Sequence, residues 1–386
     1  MKIVQINCTY NYGSTGKITR DLHNTLKENG FESIVLYGRR QNSTQSDVVK
    51  TCSEVEAKSW NLISRFTGRP YAVAPIGTNK LIAILRREKP DIVHLQCVNG
   101  FFVNIYQLLE YLKQKDIPTV ITLHAEFMYT GNCGHSLGCE QWKFGCTKCP
   151  DIHRSIRSKW LDTTCQNWHD MKKAFENFDK LYVCAVSDWV KMRAKQSLIL
   201  NKYPMVTILN GIDTTVFSYQ KYNMDFLKCN NQLQNKKIVL HVTADFQNPI
   251  KGGKYILELS NCLDPEKYTL IIVDGNDNEK PDNFHGIYWG KTKSQEELAM
   301  LYSIADITVI TSERETFSMV CAESLCCGTP VVGFKAGAPE LISMKEFSEF
   351  CEYGEIGNLY KLLKSMLERN IDKEVLSQSA IKKYSS

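Results

Sequence analysis

Ala305-Asp-Ile-Thr-Val-Ile-Thr311, followed by Glu315-Thr-Phe-Ser-Met-Val-Cys-Ala-Glu323-Ser-Leu-Cys-Cys-Gly328-Thr329-Pro330, reads as a buried strand feeding a packed helix. The helix is expected over Ser318 to Cys327, stopped by Gly328 and Pro330. It is almost wholly apolar, so Glu323 stands out: a charge in a packed helix needs a partner. Glu315 lies at the turn from strand to helix. That is the carboxyl edge of the strand, where open α/β sheets bind ligands. Two carboxylates about two helical turns apart, near a helix N-terminus, suit a ligand that carries both hydroxyls and phosphate.

The same strand-then-helix rhythm runs along the whole chain, twice over. In the first half the strands are Ile3–Ile6, Ser33–Tyr37, Ile92–Leu95, Val120–Leu123 and Leu181–Val186. Helices follow at Ile18–Glu28, Asn79–Glu88, Asn104–Lys113 and Asp188–Gln196, the last with Ser187 as N-cap. Asn210-Gly211 is a turn signal, and Tyr219 to Asn235 is polar and irregular. The second half restarts with strands Lys237–Val242, Thr269–Val273, Ile287–Trp289, Ile307–Ile310 and Pro330–Val332, separated by helices Lys254–Cys262, Gln295–Ile304 and Ser318–Cys327. The expected fold class is α/β: two Rossmann-like, doubly wound domains facing across a cleft. The expected boundaries are 1–205, a linker at 206–235, a second domain at 236–370 and a terminal helix at 371–386.

Bulk composition agrees with two soluble domains. The chain has 386 residues, 43% hydrophobic and 23% charged. No run approaches the roughly 18 apolar residues of a membrane helix. Met1–Tyr10 reads as a first strand and not as a signal peptide, so the chain is expected in the cytosol. There its 15 cysteines mean reduced thiols or metal, not a disulfide framework. Residues 1–205 carry 28 Lys and Arg against 18 Asp and Glu, and the remainder 19 against 24. A basic half beside an acidic one points the first half toward an anionic partner such as a membrane surface or a phosphorylated lipid. A solvated basic face is the alternative. Aromatic residues are not interleaved with Lys and Arg, which argues against nucleic acid.

Four smaller constellations bear on chemistry. Tyr12-Gly13-Ser-Thr-Gly16-Lys17 follows the first strand but fails the P-loop pattern, with Asn11 where a Gly and Ile18 where a Ser or Thr would stand. It reads as a turn that lets a ligand approach the backbone, or as a turn alone. His124 ends an apolar strand at its carboxyl edge, with Glu126 placed to orient it; a structural histidine is the alternative. Lys251-Gly252-Gly253-Lys254 can hold a diphosphate through backbone N–H groups and one charge, or be an ordinary loop. Cys133, Cys139, Cys146 and Cys149 have C-x5-C-x6-C-x2-C spacing, which suggests a structural zinc; free thiols packed in the loop are the alternative.

Together these pieces resemble the family 4 glycosyltransferases, which have the GT-B fold, over nearly the whole chain. The likeness is strongest from Ile307 to Glu340, where Glu315-x7-Glu323 is followed by Gly328-Thr329-Pro330 and Gly337-Ala338-Pro339-Glu340. Pro90-Asp-Ile-Val-His94, Thr122-Leu-His124, Tyr129-Thr-Gly131-Asn-Cys133 and Gly138-Cys-Glu-Gln-Trp142-Lys-Phe-Gly-Cys146-Thr-Lys-Cys149-Pro150 resemble the branch that builds colanic acid, O-antigen and capsule sugars. The resemblance implies a retaining hexosyl transfer from a nucleotide-sugar donor to a lipid-linked saccharide acceptor. It places the protein peripherally at the inner face of the plasma membrane and needs no metal cofactor for chemistry. It implies that Glu315 contacts the donor sugar, that Glu323 binds ribose hydroxyls, and that Thr316, Phe317 and Ser318 approach sugar and phosphate. Lys251 would offset the charge of the leaving diphosphate, His124 would lie beside the sugar, and Gly13, Gly16 and Lys17 would line the first domain's side.

Three departures stand against the family pattern. Asp245 occupies a position where relatives often carry a phosphate-binding Arg; either Lys254 or another residue substitutes, or the phosphate grip is weaker. Ala125 follows the strand-end His where Asp is common. The chain stops at Ser386, so helix Lys373–Tyr384 is expected to replace, in shortened form, a terminal helix that packs back on the first domain. A GT-B epimerase and a non-catalytic carbohydrate-binding protein are the rival readings.

Overall fold

The computed structural model describes residues 1–221, 233, 235–276 and 279–385. The chain divides into two compact units, Met1–Ile208 and Leu209–Ser386. The first contains a seven-stranded parallel sheet, built from β1 (Lys2–Asn7), β2 (Glu32–Tyr37), β3 (Val48–Lys50), β4 (Ile92–Leu95), β5 (Thr119–Leu123), β6 (Leu181–Ala185) and β7 (Met205–Thr207). Its order is β3-β2-β1-β4-β5-β6-β7. The second has six strands: β8 (Lys237–Thr243), β9 (Tyr268–Asp274), β10 (Ile287–Gly290), β11 (Ile307–Ile310), β12 (Val331–Phe334) and β13 (Ser348–Cys351). Their order is β10-β9-β8-β11-β12-β13, again parallel.

Each sheet is wound outward from its middle, so each has one switch point: β1/β4 in the first unit and β8/β11 in the second. Loops leave a switch point in opposite directions and open a crevice at the strands' carboxyl ends. The central strands are apolar almost without interruption because helices cover both faces. Val239, Leu270, Ile272, Ile307, Val309 and Val332 are all buried in one cluster of the second unit, closed on one side by Leu359, Leu363 and Met366 of helix Ile356–Glu368.

The strands read from sequence lie within a residue or two of these bounds. The short edge strands β3, β7 and β13 were not expected, because three or four residues at a sheet edge carry too little pattern. Residues 206–207, expected in the linker, belong to β7. Ile212 and Phe217, also expected there, are buried in the second unit: Ile212 N donates to Tyr384 O at 2.8 Å, and the Phe217 and Tyr302 rings lie 6.4 Å apart. Most of the irregular stretch 219–235 lies outside the described residues. The glycine segment after β1 is not a free turn: helix Gly13–Glu28 begins at Gly13 itself.

The terminal helix Lys373–Tyr384 is bonded into the second unit. Ser377 Oγ donates to Cys326 O, Tyr384 OH to Ile342 O and Lys383 Nζ to Ser343 O. Gly328 makes the fit possible, since a Cβ there would stand 2.5 Å from Lys373 O. Lys373 is half-buried and donates to the carbonyls of Ser303 and Ala305. Burial pushes its ammonium down from 10.5 to about 8. The unfolded chain then holds this proton between those two values while the folded chain releases it. The group's cost to folding is therefore full below about pH 8 and is relieved toward pH 10.5. In urea titrations, the stability of the wild type relative to Lys373→Met is expected to rise across this window. Parallel curves would refute a depressed Lys373.

Candidate functional site

At the β8/β11 switch point the two loops are bonded into one piece. The loop after β8 closes as a short 3-10 turn, Pro249–Lys251, in which Asn248 Oδ1 accepts from Ile250 N at 3.1 Å. Gly252 follows at φ +68°, and a Cβ there would stand 2.0 Å from Thr311 O. Only glycine allows both that conformation and that approach. Two bonds lock the contact: Thr311 Oγ1 donates to Lys251 O at 3.0 Å, and Glu313 N to Ile250 O at 2.8 Å. The backbone thereby aims Lys251 Nζ at Glu315 Oε1, 2.7 Å away, with both side chains half-buried.

Glu315 is held from its other side as well. Its N–H donates to Ala336 O and its carbonyl accepts from Ala338 N. The loop Ala336–Ala338 is in turn held by Glu340, whose carboxylate accepts from Ala336 N and Gly337 N at 3.0–3.2 Å. Ser318 caps the next helix, Met319–Cys326, with its hydroxyl accepting from Cys321 N at 3.3 Å. It does so at φ +77°, an unusual backbone for a non-glycine residue and one that clusters at functional sites. Phe317 is buried below. Glu323 has the partner its setting requires: the OH of fully buried Tyr302 donates to Oε2 at 3.3 Å. Burial, followed by the nearby Glu323 charge, raises the Tyr302 phenol well above its ordinary value, so it stays a donor. The structure thus brings Lys251, Glu315 and Glu340 into one bonded set, with Thr316, Phe317, Ser318 and Glu323 following in sequence. A cation, a carboxylate and a helix N-terminus converge where a diphosphate and a polyol would sit.

Neither residue that bears on the missing Arg adds a second cation here. Asp245 makes a turn, its Oδ1 accepting from Gln247 N at 3.2 Å. Lys254 is exposed, with Nζ 4.7 Å from the Tyr255 ring centre. His241 on β8 is buried, its Nδ1 donating to Val309 O at 3.0 Å. Burial lowers its pKa to about 4.

In the first unit His124 follows β5 at the sheet's carboxyl edge. Glu126, read from the sequence as its orienting group, is fully buried and is bonded to Ser136 Oγ at 2.7 Å and Arg193 Nε at 3.3 Å. It fastens the Cys-rich loop to helix Asp188–Lys195 and offers no substrate surface. A chain of amides orients His124. His124 Nε2 stands 2.8 Å from Gln96 Oε1, Gln96 Nε2 donates to Gln5 Oε1 at 3.4 Å, and Gln5 Nε2 to Thr19 O at 3.4 Å. With its amide nitrogen committed to Gln5, Gln96 presents oxygen to the ring, so Nε2 is the protonated nitrogen. Burial, reinforced by His94 nearby, lowers the His124 pKa to about 3. The ring is therefore neutral at physiological pH and acts as a hydrogen-bonding group. Gly16 has a packing role: a Cβ there would stand 2.7 Å from Thr9 Oγ1. Gly13 opens the helix at φ +66°, and Lys17 lies in its second turn.

The four cysteines read as a zinc set lie close enough that Cys146, Cys149 and Cys139 all act on the Cys133 thiol, while among the described residues no group of three or more His, Cys, Asp or Glu has the geometry to hold a metal ion. Cys133, Cys139, Cys146 and Cys149 are free thiols. Burial, and then Cys146, Cys149 and Cys139 in turn, push the Cys133 thiol up, which favours its protonated form. Aromatic N–H groups and one amide fasten the loop. Trp142 Nε1 donates to Cys139 O at 2.8 Å, Trp168 Nε1 to Trp142 O at 2.9 Å, and Asn132 Nδ2 to Thr164 O at 2.9 Å.

Sequence reasoning missed Gln5, Gln96, Tyr302 and Arg193. The signal for the two glutamines was present: each is a polar side chain in or just after an otherwise apolar central strand.

Two parallel-sheet units with ligand-type loops at their switch points define a GT-B protein. Sucrose-phosphate synthase of Thermosynechococcus elongatus superposes with a TM-score of 0.70 at 14% identity, covering 99% of this chain and 94% of that one. Anabaena HepE in complex with UDP-glucose superposes with a TM-score of 0.66 at 15% identity, covering 100% and 96%. Likeness at these identities shows the fold. In sequence, residues 15–216 match the model of Glycosyltransferase Family 4, and residues 226–383 that of Glycosyl transferases group 1. The chain belongs to the family 4 glycosyltransferases and is a glycosyltransferase. A relative in Escherichia coli K12, named as the colanic acid biosynthesis glycosyl transferase WcaC, is 21% identical over 96% of this chain and 92% of its own.

Two measurements check the geometry. Gly252→Ala is expected to destabilise the fold by at least about 2 kcal/mol, through strain and displacement of Thr311, read as a lowered unfolding midpoint. An NMR titration of His124 should show a ring neutral from pH 5 upward, and Gln96→Glu, which buries a carboxylate beside it, should raise its pKa. A His124 titrating near 6.5 in the wild type would contradict the amide chain.

Proposed function

We propose that this glycosyltransferase moves a sugar, with retention, from a nucleoside-diphosphate sugar to a lipid-linked saccharide in bacterial surface polysaccharide synthesis. The observation that carries this reading is the Lys251–Glu315 contact at the β8/β11 switch point, 2.7 Å long and backed by Glu340 and Ser318. The UDP-glucose bound by HepE supports a nucleotide-sugar donor, and the colanic acid name of WcaC supports a surface polysaccharide. Among the described residues no helix is long and apolar enough to cross a membrane. A lipid-linked acceptor therefore implies peripheral association, which we place at the inner leaflet.

In this mechanism the donor binds the second unit. Its diphosphate draws Lys251 from Glu315 and meets the N-terminus of helix Met319–Cys326, around Thr316, Phe317 and Ser318. Glu315, released from the ion pair, accepts from sugar hydroxyls, and Glu323 accepts from the ribose. The bond between the anomeric carbon and the diphosphate oxygen breaks, with the electron pair leaving on the diphosphate. Lys251 and the helix N–H groups stabilise that charge. The acceptor hydroxyl forms the new bond on the same face, and its proton passes to the departing diphosphate oxygen. Neutral His124 serves as a hydrogen-bonding group, not as an acid. No protein carboxylate becomes glycosylated.

Glu315→Gln is expected to lower kcat about 10²–10³-fold while nucleotide affinity stays within a few-fold. A thermal-shift panel of UDP-, GDP- and dTDP-sugars should raise the midpoint with one nucleotide class. Turnover of the nucleotide sugar without any acceptor would replace this reading with an epimerase. A trapped glycosyl-enzyme peptide would replace the same-face step.

A further inference from the structure

The helix Glu54–Thr67 is turned the wrong way for an ordinary surface helix. Its buried side chains are the small residues Ala57 and Ser64. Trp60 is half-buried, but other apolar side chains face outward: Leu62 is 56% exposed and Phe66 39%. A neighbouring loop repeats the pattern, with Trp160 72% exposed and Leu161 53%. The two elements are fastened together. The Phe66 and Trp160 ring centres lie 5.5 Å apart, and Lys159 N donates to Arg65 O at 2.7 Å. Thr163 Oγ1 and Asn167 Nδ2 both donate to Gly68 O, at 2.6 and 2.8 Å. The four apolar side chains therefore belong to one surface. A single exposed leucine needs no explanation, but a cluster containing Trp and Phe does.

Cations rim this cluster. Lys58 and Arg65 on the helix and Lys159 beside Trp160 are exposed, and none forms an ion pair among the described residues. Lys159 Nζ lies 4.9 Å from the Phe66 ring centre. Nearby carboxylates are engaged by backbone N–H groups: Asp162 accepts from Cys149 N and Thr164 N, and Glu56 from Ile76 N and Gly77 N.

We propose that this surface docks on an anionic lipid bilayer, with the aromatic and aliphatic side chains entering the headgroup boundary and the three cations meeting lipid phosphates. Aromatic side chains favour that boundary, and basic ones gain from its negative potential. The cationic rim argues for lipid over a second protein, whose contact would deplete lysine. The inference rests on the membrane association proposed above and names the surface that makes it.

The test is flotation of the full chain with phosphatidylcholine vesicles, with and without phosphatidylglycerol. Binding is expected to the anionic vesicles and to weaken with salt. It should fall about tenfold or more in Phe66→Ser/Trp160→Ser and in Arg65→Glu/Lys159→Glu. Thermal midpoints should barely move, because these side chains are exposed. Brominated lipid should quench wild-type fluorescence more than that of Trp160→Phe. Wild-type protein that ignores anionic vesicles, or variants that float like the wild type, would overturn the proposal. So would Phe66→Ser/Trp160→Ser dissociating a dimer, since a second copy would then cover the patch. Transfer to a water-soluble acceptor separates the two readings: transfer without flotation defeats the docking surface alone, and flotation without transfer defeats the proposed reaction alone.

Discussion

The contact between the β8 and β11 loops is the constraint on which the donor side of this molecule depends. Gly252 has no side chain, so the loop after β8 reaches the backbone of Thr311, and two hydrogen bonds hold it there. That approach sets Lys251 against Glu315. Opposite charges at hydrogen-bond distance in a half-buried crevice stabilise each other only modestly, because both give up water to meet. The arrangement is better understood as a poised site. Each partner is already desolvated and aimed, and an incoming diphosphate and sugar can take one charge each. Glu340, reaching back to Ala336 and Gly337, keeps the Glu315 backbone from shifting when its side chain changes partners.

The first unit uses buried polar groups in another way. Gln5, Gln96 and His124 form a directed chain across three neighbouring strands, ending on a carbonyl of helix Gly13–Glu28. Each amide commits its nitrogen one way and its oxygen the other, so the imidazole proton is placed by the direction of the chain. Glu126 shows the contrasting solution. Two residues further along, a fully buried carboxylate is matched by Arg193 and Ser136 and serves to anchor a loop. Both side chains follow the same strand end; their partners alone separate a hydrogen-bonding site group from a structural clasp. The outward-facing Leu62, Phe66 and Trp160 are a third departure from ordinary packing, and their cationic rim relates them to a surface outside the protein.

Much of this was legible along the chain. Apolar strands alternating with helices gave the two parallel sheets, since side chains buried on both faces leave long hydrophobic runs. Glu315, Glu323 and Lys251 stood out as charges beside glycines and apolar strands, and each proved to lie in or next to a bonded set. The edge strands β3, β7 and β13 did not stand out, nor did the partners Tyr302, Gln96 and Arg193, because short pairings and single contacts leave no periodic trace. The hydrogen bonds by which Trp142, Trp168 and Asn132 fasten the Cys-rich loop left no trace in its C-x5-C-x6-C-x2-C spacing either.

By itself the sequence determined the class of architecture and the chemical types gathered at its strand ends. Local patterns of burial and turn formation act over a few residues and survive in any folded context. Only the tertiary structure decided which polar group faces which: Lys251 to Glu315, His124 to Gln96, Glu126 to Arg193, and the terminal helix to the second unit. Those pairings join residues tens of positions apart, and burial makes each one obligatory, because a polar group removed from water must find whatever partner the fold brings to it.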